Sequence, residues 1–382
     1  MKCSGLDVST GMPVEISFGN LITGVDPLIS PAENSAWIAP GWIDLQVNGF
    51  AGVDYNSPLT THEQIGHSIR ALFATGVTRF FPTVITGSPE GMRAAVRNLA
   101  AAKEKLAEGA AIEAIHLEGP YISPEDGPRG AHPAGWVRPP DLDEFHRLQD
   151  AAGGNIRLVT LAPEWPEAPR FIEALVREGV AAAIGHTRAS SRQIADAVSA
   201  GATLSTHLGN GADAVLPRHP NYIWEQLADD RLAASFIVDG IHLPKSFLNV
   251  ALRAKGLERA ILITDAVMPA GCAPGPYKLG EIDVELHSDG SVRLKGGTRL
   301  AGSALRMDQA VANVMRLANL SLRDAIALAT RNPARVGRIA SRQRGLNSGQ
   351  RADQVRFLYH EEAHEIEILE TYLDGERVFA KP

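Results

Sequence analysis

The sequence predicts an α/β protein: a (β/α)₈ TIM-like barrel flanked by a small β-sandwich built from both chain ends. Three observations carry that expectation. Between residues 41 and 265 one unit recurs, in which a Gly, a short apolar strand, a polar tip and a loop lead into an amphipathic helix. Eight strands of this kind can be counted, and strands separated by helices pair in parallel through right-handed crossovers, which close most economically into a barrel. The two ends of the chain alternate with period two instead, as paired strands do. An open doubly wound sheet is the structural alternative, but no Gly-x-Gly-x-x-Gly follows the first strand.

Taken in order, residues 1–40 are rich in turn formers, with "VEISFGN" as a strand. The barrel strands are expected at 41–48, 77–84, 111–118, 156–162, 180–186, 202–207, 233–239 and 260–265. Gly76, Gly179, Gly201 and Gly256 each follow a helical pattern, where a left-handed residue just past the helix costs Gly least. In the helix after the second strand, Ser88 serves as cap and Pro89 opens the first turn. Met92, Val96 and Leu99 share one face there, and Gly109 ends it. Residues 277–298 read as a hairpin about Asp289-Gly290. Helices at 304–318 and 321–330 then lead to the alternating segments "QVRFLY", "HEIEILETYLDG" and "ERVFAKP". The expected division is 1–40 with 336–382 for the sandwich and 41–335 for the barrel.

Composition narrows the function. The 382 residues are 45% hydrophobic and 21% charged, which is ordinary for a globular chain. The net charge of −7 and the lack of any Lys/Arg run argue against a nucleic-acid partner. Two cysteines, Cys3 and Cys272, form no framework, which fits a reducing compartment. The first residues lack a signal-peptide core, and no stretch approaches the roughly 20 apolar residues of a membrane helix. A soluble cytoplasmic protein is expected.

Chemistry gathers at the strand tips. In such a barrel the C-terminal strand ends surround the mouth and carry the catalytic groups. Reading only those ends gives Gln46 and Asn48, Glu118, His186, His207 and Asp265, with His242 close behind strand seven. Singly, each could be a solvated strand end or a packed histidine; together they crowd one rim. Glu118, His186 and His207 supply one oxygen and two nitrogens, a set suited to Zn²⁺ or another divalent first-row ion with a position left open for water. Such an ion lowers the pKa of a bound water from about 15.7 to about 7. Asp265 is then placed to take the water's proton and deliver it to a leaving group. That is the logic of metal-assisted amide hydrolysis.

The segments "PGWIDLQVNG", "HLEGPY", "RGAHP", "IGHT", "THLGN", "VDGIHLP", "ILITDA" and "LAGSAL", in this order, resemble the N-acetylglucosamine-6-phosphate deacetylases of the amidohydrolase superfamily. The resemblance runs from about residue 38 to 335 and implies hydrolysis of the N-acetyl group of an amino-sugar 6-phosphate. It implies that Glu118, His186 and His207 hold the metal and that Asp265 is general base and acid. It further implies that His132 contacts the sugar near the acetamide and that His242 lines the same pocket. Asn210 and Gly211 fall where the family meets the phosphate. Arg218 falls where a phosphate-binding arginine reaches into the neighbouring subunit, so a homodimer is implied.

Two departures stand out. Where the superfamily often has His-x-His on strand one to hold a second metal, this chain has Gln46-Val47-Asn48, and neutral amides are poor ligands. A variant of the family shares Gln-x-Asn and uses one metal, and strand four offers no lysine to bridge two. One divalent ion per subunit is therefore expected, with Zn first and Fe, Mn or Co as alternatives. In "THLGNGADAVLPRHPNYIWEQL" the family more often has an aromatic at Gly209 and a small residue at Asn221, which leaves Tyr222 and Trp224 either as packing or as shapers of the sugar pocket. The competing readings are an amidohydrolase acting on another small amide, or on an unphosphorylated or epimeric N-acetylhexosamine, and a non-catalytic sugar-phosphate sensor.

Overall fold

A computed structural model of the chain describes residues 1–29, 36–279 and 282–382. Eight parallel strands run in chain order: β1 (Trp42–Val47), β2 (Val77–Ile85), β3 (Ile115–Glu118), β4 (Ile156–Leu161), β5 (Ala181–Ile184), β6 (Leu204–Ser205), β7 (Ala233–Ile237) and β8 (Ala260–Ile263). Each pairs with its sequence neighbours. The seam between β8 and β1 is closed just past the strand ends, where Asp265 N donates to Gln46 O at 3.0 Å and Asn48 N to Ala266 O at 2.7 Å. The strands are buried along nearly their whole length, which is why they read as continuous apolar runs rather than alternating ones.

The local expectations hold with two shifts. Ser88 accepts from Gly91 N, Pro89 opens the helix, and Met92, Val96 and Leu99 are buried. That helix, Pro89–Lys105, stops short of Gly109, and a 3₁₀ turn over Ala107–Ala111 occupies the start of what the sequence offers as the third strand. Alanine-rich "LAEGAA" keeps the chain coiled there, so β3 begins only at Ile115. The four marker glycines all have positive φ. Gly76 has a second reason, because a Cβ there would stand 2.7 Å from the buried Trp42 ring.

Both chain ends meet in one seven-stranded sheet. Its order is Glu376–Ala380, Glu365–Leu373, Gln354–His360, Trp37–Pro40, Lys2–Asp7, Pro13–Phe18, Ile22–Pro27. All pairs are antiparallel except that between Lys2–Asp7 and Trp37–Pro40. The hairpin about Asp289-Gly290 grows into a separate four-stranded sheet with Gly275–Leu279 and Leu300–Ser303, packed over Val267 beside the barrel mouth. Helices Met307–Ala318 and Leu322–Ala329 follow as expected, with a short unanticipated helix at Arg331–Val336. No helix among the described residues is long and apolar enough to cross a membrane.

A buried ionic network joins the barrel to the terminal sheet. Arg79 of β2 donates to Asp353 at 2.8 and 3.2 Å and to Asp374 at 2.6 Å. Arg342 also bonds Asp353 and the carbonyl of Gly41. Burial alone would raise the Asp353 carboxyl; the two guanidinium groups overcome it and hold the group down at about 2.

Candidate active site

Four acidic or imidazole tips converge at the C-terminal mouth of the barrel. Glu118 is the last residue of β3, while His186, His207 and Asp265 lie two residues beyond β5, β6 and β8. The last three have φ of 51°, 30° and 49°, a left-handed backbone that side chains with a Cβ rarely adopt. Here the chain turns sharply off the strand and aims the side chain into the mouth. Ser123 N donates to His186 O at 2.9 Å, and Ser235 Oγ accepts from His207 N at 2.8 Å, fixing two of these turns.

The imidazoles meet the carboxylate at one point. His207 Nε2 stands 2.9 Å from Glu118 Oε1, His186 Nε2 stands 3.3 Å from the same oxygen, and the two nitrogens are 3.1 Å apart. Because Pro128 O lies 2.8 Å from His186 Nδ1 and can only accept, a ring proton sits on Nδ1 and Nε2 is the atom turned to Glu118. The two Nε2 atoms and the carboxylate oxygen form one compact donor cluster. Burial disfavours charge on Glu118 and His207, yet their contact holds Glu118 well below the usual range and draws His207 upward. The spacings match the roughly 3.3 Å edge of a tetrahedron with metal bonds of about 2.0–2.1 Å, so this donor set fits a divalent ion.

Asp265 lies beside the cluster. Gln46 Nε2 donates to Glu118 Oε1 at 2.8 Å and to Asp265 Oδ1 at 3.0 Å, and Asn48 Nδ2 donates to the same Oδ1 at 2.7 Å. Burial, then the neighbouring Glu118 charge, pushes the Asp265 carboxyl up to about 6. The two amides at the end of β1 thus contact carboxylates as donors.

The remaining residues line a cavity of about 520 Å³, a size suited to a small ligand. His132 shares a hydrogen with Thr86 Oγ1 at 2.9 Å and packs edge-on to the His186 ring. Burial first, then His186, pushes its pKa down to about 3, so it is a neutral imidazole. His242 Nδ1 lies 2.6 Å from Asp239 Oδ2, while Asp239 Oδ1 accepts from the His242 and Ile241 backbones. Asn210 lines the cavity with a buried Nδ2 that lacks a partner among the described residues. Gly211 backs the His186 ring so closely that a Cβ would stand 2.7 Å from Nδ1.

Arg218 is exposed and lies outside this cavity wall. Tyr222 is buried and anchors its loop through Asp213, whereas Trp224 is on the surface; neither lines the cavity. At Gly209 a Cβ would meet the Phe247 ring at 2.8 Å, so Phe247 fills the space that an aromatic at 209 would need. Sequence reasoning passed over Thr86 and Asp239, which orient the two outer histidines. Thr86 sits just past the tip of β2 but is not titratable, and Asp239 was visible only as part of "VDGIHLP". The cavity's apolar side, with Leu279, Ile282 and Leu300, comes from the four-stranded sheet beside the mouth and carried no local signal.

A parallel eight-stranded barrel whose mouth gathers a carboxylate, two imidazoles and a separate aspartate has the donor set and the proton carrier of a metal-dependent hydrolase. No family model matches the chain. The sequence is 35% identical over 321 residues to N-acetylglucosamine-6-phosphate deacetylase of Bacillus subtilis, covering 83% of this chain and 80% of that protein. It is 35% identical over 360 residues to the human protein of the same name, covering 90% and 83%. A Mycobacterium smegmatis N-acetyl-D-glucosamine-6-phosphate deacetylase, solved as an aspartate-to-alanine mutant in complex with N-acetyl-D-glucosamine-6-phosphate, superposes with a TM-score of 0.89. That match has 30% identity and covers 100% of this chain and 99% of that one. The chain belongs to the N-acetylglucosamine-6-phosphate deacetylase family.

Proposed function

We propose that the protein hydrolyses the N-acetyl group of N-acetylglucosamine 6-phosphate, releasing acetate and the amino-sugar phosphate, with Glu118, His186 and His207 holding one divalent ion, Zn²⁺ first among the choices. The observation that carries this reading is the meeting of three ligand atoms at one point beside an uncoordinated aspartate. A divalent ion bound there would supply Lewis acidity and make an attacking water more acidic. Asp265 would take the proton that the water loses as its oxygen bonds to the acetyl carbon, and would return it to the nitrogen as the C–N bond breaks, so that acetate and a neutral amine leave. His132, kept neutral, and His242, oriented by Asp239, are assigned to the sugar and acetamide. Asn210 and Gly211 are assigned to the phosphate, with the unpartnered Asn210 amide as a donor for it.

Arg218 is assigned to the phosphate in the partner subunit's cavity of a homodimer, which agrees with its exposure outside its own cavity. The terminal sheet, 1–40 with 336–382, is read as a supporting domain for the barrel of 41–335. Acetate release from a panel of N-acetylhexosamines with and without 6-phosphate, alongside metal content per chain, tests the whole reading. Turnover confined to the phosphorylated gluco sugar and one metal per chain are the expected results. Equal turnover of unphosphorylated amides would replace it with the broader amidohydrolase reading.

A further inference from the structure

Gln46 and Asn48 stand where a second metal's ligands would be sought, yet their side-chain nitrogens are engaged with carboxylates. Both donors that reach Asp265 fall on the same oxygen, Oδ1, at 3.0 and 2.7 Å. Among the described residues no hydrogen bond falls on Oδ2. Gln46 also spans to Glu118 Oε1 at 2.8 Å, so one amide ties the aspartate to a ligand of the cluster. Gln46, Asn48 and Glu118 are buried and Asp265 is half-buried, which makes these bonds strong and their loss costly.

We propose that Asn48 and Gln46 are positioning residues that pin Asp265 through Oδ1 and leave Oδ2 as the oxygen that exchanges the proton. Two donors on one oxygen resist rotation of the carboxylate, and the residue lines the cavity with Oδ2 left over for proton exchange. The two amides differ in reach. Asn48 Nδ2 touches only the aspartate, whereas Gln46 touches both the aspartate and Glu118. The chain therefore separates two tasks: Asn48 serves proton transfer alone, and Gln46 also serves the grip on the ion. This inference rests on the reading of Asp265 as the proton carrier.

The test is a double-mutant cycle with a metal-binding readout. Asn48→Leu removes the donor at nearly constant volume; Asn48→Ser is the second variant should the first fold poorly. The expected result is a fall in kcat of about 10- to 100-fold with KM and metal affinity unchanged. In the Asp265→Asn background the same substitution should lower the residual kcat no further, because residues acting as one unit are not additive. Gln46→Met should weaken Zn²⁺ affinity, measured by chelator competition, by about 10-fold or more, while Asn48→Leu should not. Full additivity in the Asp265→Asn background, or a kcat for Asn48→Leu within twofold of the parent, overturns the proposal. Near-normal kcat for Asp265→Asn alone would instead overturn the reading beneath it, so the two failures are distinguishable.

Discussion

An aspartate closing a strand can be a cap or a proton carrier, and Asp265 has the surroundings of the second. It caps no helix, it is half-buried at the cavity, and it borders the ligand cluster. Asp265→Asn preserves shape and removes the base; metal content and melting temperature should persist while kcat falls by about 10² or more. A variant with normal turnover and a lowered melting temperature would return the residue to a structural role. Glu118, His186, His207 and Asp265 were legible in the sequence because a titratable side chain at a buried strand tip is chemically conspicuous. Thr86, Asp239 and the carbonyl of Pro128 were not, because orienting a histidine needs only an ordinary hydrogen-bonding atom at the right distance.

The loops that follow the strands turn sequence into aim. The left-handed tips at His186, His207 and Asp265 carry a backbone cost of order 1–3 kcal/mol each, which the surrounding barrel must over-determine. Gly211 supports one of them from behind. Gly211→Ala would drive a methyl into the His186 ring, disturbing its bond to Pro128. Metal affinity should fall by about 10- to 100-fold by chelator competition while the far-UV spectrum stays unchanged. On the same loop, Arg218→Ala should raise KM for the phosphorylated sugar far more than for an unphosphorylated analogue, since a guanidinium fork matches phosphate. Equal losses on both substrates, in steady-state assays, would remove the phosphate assignment. Most strands and helices were readable from periodicity, glycine positions and caps. The start of β3 was not, because helix-forming alanines and strand-forming isoleucine compete across "GAAIEAI" and only packing decides between them.

At the scale of the molecule, the barrel and the terminal sheet are bound through charges hidden from water. Asp353 is fully buried between Arg79 and Arg342, so removing it leaves the buried Arg342 guanidinium without its carboxylate and Arg79 with only Asp374 and the more distant Glu113. Asp353→Ala should destabilise the fold by about 3–5 kcal/mol in denaturant titration. Its folded pKa of about 2 lies below the usual aspartate value of about 3.9, so its contribution is complete above the latter and lost as pH falls through the former. Part of the parent's acid unfolding between about pH 4 and 2 should therefore vanish in the variant. A parallel loss of stability in both proteins across that window would refute the assignment. The eight-strand count and the pairing of the chain ends could be read in advance, since patterning sets both. This network could not, because its members are separated by up to 295 residues in sequence.

That separation has a consequence for how the protein is made. Arg79 emerges from the ribosome long before residues 353 and 374, whose carboxylates accept its hydrogen bonds. The strand Trp37–Pro40 likewise waits for Gln354–His360 on one of its edges. A nascent barrel already containing all eight strands thus lacks two of the three carboxylates around Arg79, and keeps an open strand edge, until residues 353–374 appear. Open edges of this kind invite pairing with other chains. Synthesis of residues 353–374 is therefore also the step that seals the barrel, and a ribosome stalled before residue 353 would release one that holds Glu118, His186, His207 and Asp265 but is prone to aggregate.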